Sequence, residues 1–276
     1  MGLRFRILGS SSQGNSALLR TGEATILIDA GFSARRLGQL LAEEGLTLDD
    51  LDAVLLTHEH GDHSKGLTGL ARLPGLEVYA NRETAGHLHR RHGRKLNWKT
   101  FETGRPFRYR DLEVDPIPVP HDACDPVAFT FTTGANDLFS PRTSLAWVTD
   151  LGYIPQIVRE RVREVDMLVI EANHDVAMLD GDERRPWSLK QRIKSRHGHL
   201  SNDAAYELVG ELGADGARWQ QVYLGHLSRD CNDVARVRRR FADCAPVNGG
   251  NRPKFAIEVI DPEAGTPLAF SAGAAL

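Results

Sequence analysis

Cysteine is scarce in this 276-residue chain. The three present, Cys124, Cys231 and Cys244, are too few and odd in number for a disulfide framework and fit a reducing compartment. No apolar run approaches the roughly 20 residues of a membrane span. The opening Met1 to Leu8 alternates as a strand does and lacks the charged and then apolar regions of a signal peptide, so a cytoplasmic protein with no membrane partner is expected. Linkers rich in Pro, Ser or Gly, repeats and low-complexity tracts are also missing, and residues 1–276 are read as one domain. There is no basic excess either. Lys and Arg number 34 against 37 Asp and Glu, a net charge of −3, and the pI is near 6.4. That balance argues against a protein that holds nucleic acid mainly by neutralising phosphates along its whole surface.

Histidine is there, and it is concentrated. Thr57-His58-Glu59-His60-Gly61-Asp62-His63 follows the apolar run Leu51 to Leu56, which reads as a buried strand. A strand end holds the following loop in place. Alternate residues of an extended loop point in different directions, so His58 and His60 can face one metal ion while Asp62 and His63 face another. The bland alternative, three surface imidazoles and an acid, requires this spacing to arise by chance.

Strands are expected near 3–8, 24–29, 51–56 and 77–80, with helices near 33–44, 65–72 and 82–92. The second half repeats the pattern, with strands near 112–119, 126–133, 144–149, 166–170, 220–224 and 253–259. Helices near 154–163, 188–196, 202–212 and 231–241 cover it, with Ser201 and Ser228 as candidate N-caps. The segment from Gly9 to Ser16 reads as a Ser/Gly loop.

The spacing T-H-x-H-x-D-H resembles the signature of the metallo-β-lactamase fold superfamily. The resemblance implies an α/β fold, an αββα four-layer sandwich with a dinuclear site at one edge of its two sheets. It also implies a His, an Asp and a last His at the ends of later strands. His121, Asp150 and His226 stand at such positions, and Asp29, in Ile26-Leu27-Ile28-Asp29, matches an Asp that supports the metal loop without binding metal. On this pattern His58, His60 and His121 hold one metal ion, Asp62, His63 and His226 the second, and Asp150 lies between them. Two such ions, roughly 3.5–4 Å apart, activate a water for hydrolysis. Zn²⁺ is the first choice for these ligands, with Mn²⁺ or Fe as alternatives. Asp62 is additionally expected to orient the attacking water. Cys124 could touch metal, but the ligand set is complete without it.

Ligands alone do not identify a substrate. Glu171-Ala172-Asn173-His174-Asp175, Gly198-His199-Leu200-Ser201-Asn202 and Gly225-His226-Leu227-Ser228 resemble, in order and spacing, the second half of the transfer-RNA 3′-processing nucleases. That resemblance implies a proton-donating pair in which Glu171 orients His199 and His199 protonates the departing oxygen, as an alkoxide leaving group requires. Together with Gly9 to Ser16, Thr57 to Gly66 and Thr149 to Tyr153, these segments are similar to the YycJ/WalJ-type branch, which implies a cytoplasmic metal-dependent DNA exonuclease, 5′→3′ by family resemblance. The long insert that carries the β-CASP lid and the exosite arm of the transfer-RNA nucleases both lack a counterpart here, which weakens transfer-RNA processing as the task.

Other residues carry two readings. His174 is a further catalytic or phosphate-contacting group, or a loop residue bonded to backbone. Ser10, Ser12 and Asn15 could present donors to a phosphate, or their loop could simply turn the chain. Ser201 and Asn202 are grouped with them as substrate contacts. Arg184, Arg185, Lys190, Arg192, Lys194 and Arg196 form a basic cluster before His199, with Arg192 and Arg196 the expected strand contacts; a second runs from Arg82 to Arg110. Such runs are otherwise solvated faces. Glu43, Glu44, Asp49, Asp50 and Asp52 would then form the opposite face. His87, His89 and His92 read as a solvated helix face in preference to a third metal site, and His197 has no evident role. The expectation is a dinuclear metal-dependent phosphodiesterase acting on nucleic acid, DNA before RNA. The alternatives are a small-molecule metallohydrolase (cyclic phosphodiesterase, lactonase or thioesterase) and a metal-binding regulatory protein without turnover.

Overall fold

Several short segments of this chain are apolar on both faces, which only a strand covered on two sides can satisfy. In the computed structural model Ile26 and Ile28 point between two sheets while Leu27 points to an outer helical layer. The same division separates Leu145 and Trp147 from Ala146 and Val148, and Met167 and Val169 from Leu168 and Ile170. Three apolar layers follow: one between the sheets and one beneath the helices on each side. Four layers, αββα, are therefore built from strands that alternate between two cores. Trp147 is fully buried between the sheets, edge-on to Phe5 at 6.1 Å between ring centroids.

The structure describes residues 2–92, 96–134, 142–244, 255–262, 266 and 269–270. The first half contains β1 (Arg4–Ser11), β2 (Gly14–Arg20), β3 (Thr25–Ile28), α1 (Ala34–Ala42), β4 (Ala53–Leu55), α2 (Gly61–Ser64), α3 (Leu67–Leu70), β5 (Glu77–Asn81), α4 (Arg82–His92) and β6 (Asn97–Phe101). The second contains β7 (Phe107–Tyr109), β8 (Leu112–Pro118), β9 (Val127–Thr133), β10 (Thr143–Val148), α5 (Gln156–Arg163), β11 (Met167–Glu171), α6 (Val176–Gly181), α7 (Trp187–Ile193), α8 (Asn202–Ala214), β12 (Gln221–Gly225), α9 (Val234–Arg240) and β13 (Ala256–Val259). A short β14 (Ala269–Phe270) returns to β1. The sheets run β14-β1-β2-β3-β4-β5-β6 and β13-β12-β11-β10-β9-β8-β7. In each, the pairs from β3 to β6 and from β10 to β13 are parallel. Parallel strands gather their C-terminal ends on one edge, where functional loops collect. Among the described residues no helix is long and apolar enough to cross a membrane.

Several expectations need correction. The segment Gly9 to Ser16 is a hairpin, with β1 continuing to Ser11 and β2 starting at Gly14. Its polar residues hid the strands because their partners are the site and the neighbouring sheet. β6 and β7 escaped detection as short, half-exposed outer strands whose lysines and arginines read as helix surface or loop. α9 is capped by Asp233, which accepts from Arg236 N, whereas Ser228 accepts from Cys231 N at 3.2 Å in a turn. Ser201 does cap α8, accepting from Ala204 N.

The charge map also differs. Asp52 pairs with Arg110 at 2.8 Å and Glu77 with Lys99 at 3.3 Å, so these acids and bases share a face. Glu43 and Glu44 both engage Arg6. Arg94 and Lys95, part of the same expected basic run, lie outside the described residues.

Candidate metal centre

Each histidine and carboxylate singled out after a strand lies on the edge where the parallel strands end. Three turn sharply off their strands with left-handed backbone: Asp29 after β3 (φ 59°), Asp150 after β10 (φ 60°) and His226 after β12 (φ 57°). This conformation costs a non-glycine residue about 1–3 kcal/mol and persists where surrounding contacts hold it. Gly31 closes the same corner. A Cβ there would lie 1.8 Å from the Asp62 carbonyl oxygen and 2.4 Å from Asn15 N. Both obstacles are backbone, so Gly31→Ala is expected to destabilise by at least the about 1–3 kcal/mol of an overpacked site. Urea denaturation checks this, and an unchanged midpoint would show that the corner yields.

Donor atoms of His58, His60 and His121 lie within 4.8 Å of one another, as do those of Asp62, His63 and His226. Asp150 stands between the two groups: Oδ2 is 3.2 Å from His63 Nε2, and Oδ1 is 3.8 Å from His121 Nε2 and 3.6 Å from His226 Nε2. The six residues and Asp150 are thus brought together as expected.

Behind them a second set of contacts fixes which ring nitrogen faces inward. Asp29 accepts from Thr57 N at 2.8 Å, from the Thr57 hydroxyl and from His63 Nδ1 at 2.8 Å. The Thr57 oxygen in turn takes His58 Nδ1 at 2.9 Å. His121 Nδ1 donates to the Gly198 carbonyl at 3.0 Å, and His226 Nδ1 to Glu171 Oε1 at 2.9 Å. Four imidazoles are thereby held with Nδ1 occupied and Nε2 offered, the arrangement in which outer partners orient metal ligands. His58 Nε2 and His226 Nε2 are buried without a hydrogen-bond partner. Unpartnered buried donor atoms converging from opposite sides fit a divalent cation.

The protein's charges favour positive charge at this spot. Burial pushes His58 well below the ordinary imidazole range, and neighbouring His63 adds to it. Burial also opposes charge on His63, yet Asp150, Asp29 and Asp62 hold its pKa well above normal. Asp150 stays well below the carboxylate range despite burial, because His226 and His63 face it. A cation can take the place of protons held this way, since metal ligands must be deprotonated.

Glu171, the last residue of β11, does more than the sequence suggested. Its Oε1 accepts from His199 Nδ1 at 2.7 Å as well as from His226, while Oε2 accepts from Leu151 N at 3.2 Å. Burial disfavours its charge, but His199 and His226 bring its pKa to about 2. For His199 burial works against protonation, and the Glu171 carboxylate outweighs it, giving a pKa of about 9. His174 behaves differently: burial lowers it to about 4. Its Nδ1 is buried and unpartnered, and its backbone bridges Ser201. A neutral ring of this kind cannot act as a cationic phosphate contact at neutral pH.

The expected substrate contacts separate. Ser10 is fully buried and accepts from His226 N at 2.9 Å, so it builds the site from behind. Ser201 is committed to its helix cap, and Asn202 is buried against Asn232 at 3.0 Å. Ser10 and Asn202 are thus held behind the site by buried contacts, and the Ser201 oxygen accepts within its helix cap. Asn15 is buried at the centre itself, with Nδ2 3.0 Å from His63 Nε2 and 3.5 Å from Asp62 Oδ2. Ser12 alone of this group is exposed, at the hairpin tip. Arg192 is ion-paired to Asp122, whose other oxygen is 3.3 Å from His121 Nε2. Arg196 lies over the Tyr153 ring at 4.2 Å. Asn232, unforeseen in the sequence, donates to the Ala172 and Asn173 carbonyls and ties the loops behind Glu171. A lone Asn far along the chain carries no signal for such a role.

The fold and this edge define the class. The model of the beta-lactamase superfamily domain matches residues 24–226, and the metallo-β-lactamase fold protein YhfI of Bacillus subtilis superposes with a TM-score of 0.70 at 16% identity, covering 96% of this chain and 99% of that one. Along nearly the full length the chain is similar to exodeoxyribonuclease WalJ of Streptococcus pneumoniae, 35% identical over 97% of this chain and 98% of that protein. Exodeoxyribonuclease YycJ of Bacillus anthracis is 34% identical over 98% and 100%. The chain belongs to the WalJ/YycJ branch of the metallo-β-lactamase superfamily.

Proposed function

We propose that this protein is a metal-dependent phosphodiesterase that removes nucleotides from a DNA end, in the 5′→3′ direction, as one hydrolase domain working in the cytoplasm. The observation that carries the reading is the Glu171–His199 pair, with His199 Nδ1 3.6 Å from Asp150 Oδ1 at the cluster of metal-ligating groups. The names of the WalJ and YycJ relatives support DNA as the substrate.

His58, His60 and His121 would hold one divalent ion, and Asp62, His63 and His226 the second, with Asp150 between. Bound there, the ions supply Lewis-acid activation of water and neutralise charge growing on the phosphate. The imidazole-rich donors favour Zn²⁺, and Mn²⁺ or Fe also suit an all-nitrogen and oxygen set. Asp62, whose side chain is 25% exposed, would accept from the attacking water. His199 keeps Nδ1 on Glu171, which leaves Nε2 to deliver a proton to the departing oxygen. Asp29 and Thr57 keep His58 and His63 in place during the reaction.

Digestion of 5′- and 3′-labelled single- and double-stranded DNA and RNA by chelator-stripped protein resupplied with Zn²⁺ or Mn²⁺ tests this. Loss from one end of DNA is expected only with metal restored, and not with Asp62→Ala. A specific observation favours a second reading. Four of the six cations of the basic cluster are already paired, Arg184 and Arg185 with Asp182 and Asp230, Lys194 with Asp180, and Arg192 with Asp122. Turnover of bis(p-nitrophenyl) phosphate with every polymer intact would favour a small phosphodiester substrate.

A further inference from the structure

The residue between the two histidines of His58-Glu59-His60 points the other way. Glu59 is buried, its Oε1 accepts from Cys124 N at 2.9 Å, and its Oε2 is buried with no hydrogen-bond partner. On the same side Cys124 Sγ lies 3.6 Å from His87 Nδ1. One donor atom from each of Glu59, His87 and Cys124 falls within 4.8 Å of the others. A Zn–S bond of about 2.3 Å and a Zn–N bond of about 2.0–2.1 Å at a tetrahedral angle separate sulfur and nitrogen by roughly 3.5–3.6 Å. The observed spacing already matches that requirement.

We propose that Glu59, His87 and Cys124 form a third metal site, distinct from the dinuclear cluster, that takes Zn²⁺. The donors are one thiolate, one imidazole and one carboxylate, and the sulfur selects Zn²⁺ over Mn²⁺ or Mg²⁺. Three protein ligands leave a fourth position for water. The site is preorganised. Asn81 caps α4 by accepting from Thr84 N at 2.9 Å and donates to the Asp125 carbonyl at 2.5 Å, while Thr103 donates to the Asp125 carboxylate at 2.7 Å. Cys124 is therefore fixed against the helix that carries His87. Burial and the neighbouring Glu59 carboxylate push the Cys124 thiol up from its ordinary range, with Arg90 opposing them, so a metal ion would have to displace the thiol proton on binding.

Its consequence is mechanical. Glu59 lies between two residues of one expected ligand group, and Cys124 lies three residues after the third, His121. Cys124 belongs to the β8–β9 loop of the second sheet, whereas Glu59 and His87 belong to the first. An ion at this point clips the two sheets together beside the edge where the catalytic groups gather.

Cobalt substitution of the full chain tests the site without relying on turnover. The dinuclear cluster offers no sulfur, so a thiolate-to-cobalt charge-transfer band in the near ultraviolet reports this site alone. The band is expected in the wild type and lost in Cys124→Ser, with one zinc fewer per chain by elemental analysis; His87→Ala loses the same zinc. Absence of the band, its persistence in Cys124→Ser, or equal zinc in all three proteins would overturn the proposal and leave a thiol–imidazole hydrogen bond. A wild type that cleaves no DNA would leave the band untouched, so failure of the nuclease reading is separately visible.

Discussion

His199→Ala is expected to lower DNA cleavage by about 10²- to 10⁴-fold while the two ions of the dinuclear cluster stay bound. The leaving group of a DNA strand is an alkoxide, which departs poorly without a proton. His199 Nδ1 is held by Glu171 at 2.7 Å, so the ring is oriented as an acid and is not required as a ligand. The effect should depend on the leaving group. Bis(p-nitrophenyl) phosphate releases a weakly basic phenolate, and its turnover should fall less than about tenfold. Steady-state kinetics on both substrates, with metal content measured alongside, separate the possibilities. Equal losses on both with metal released would make His199 a ligand, and unchanged DNA cleavage would remove it from the mechanism.

Glu171→Gln is expected to lower DNA cleavage on the order of 10³-fold and to weaken metal binding about 10- to 100-fold, the usual consequence of losing an outer partner of a ligand. Three N–H groups converge on this carboxylate: His199 Nδ1 and His226 Nδ1 on Oε1, and Leu151 N on Oε2. A glutamine has one accepting oxygen. If that oxygen meets the imidazoles, its amide nitrogen faces the Leu151 N–H donor to donor, and the reverse placement confronts both rings. A buried unsatisfied donor costs about 1–3 kcal/mol, so the side chain or the rings must move. Calorimetric zinc titration checks affinity, and kinetics at saturating metal check the acid. A variant with normal affinity and a defect equal to that of His199→Ala would confine Glu171 to positioning the acid.

The amino-acid sequence by itself determined the parts of this protein that local pattern can encode. The run Leu51 to Leu56 before Thr57-His58-Glu59-His60-Gly61-Asp62-His63 places a strand and a donor-rich loop by apolar periodicity and spacing. His121, Asp150 and His226 were legible through the family resemblance, which implies a ligand at the end of each of three later strands, and Ser201 because a cap precedes α8. The tertiary structure decided what depends on partners far along the chain. The hairpin of β1 and β2 looks like a polar loop until Ser10 is seen under His226, 216 residues away. Glu171 reads as the partner of His199, but its hold on His226 needs β11 and β12 side by side in register. Cys124 was legible as a possible metal contact, but its grouping with Glu59 and His87, on three separate segments, was not, and only the tertiary fold brings their donor atoms within 4.8 Å. The physical reason is the same in each case: periodicity and spacing report which face a residue shows, whereas a contact between sheets is settled by how both cores pack.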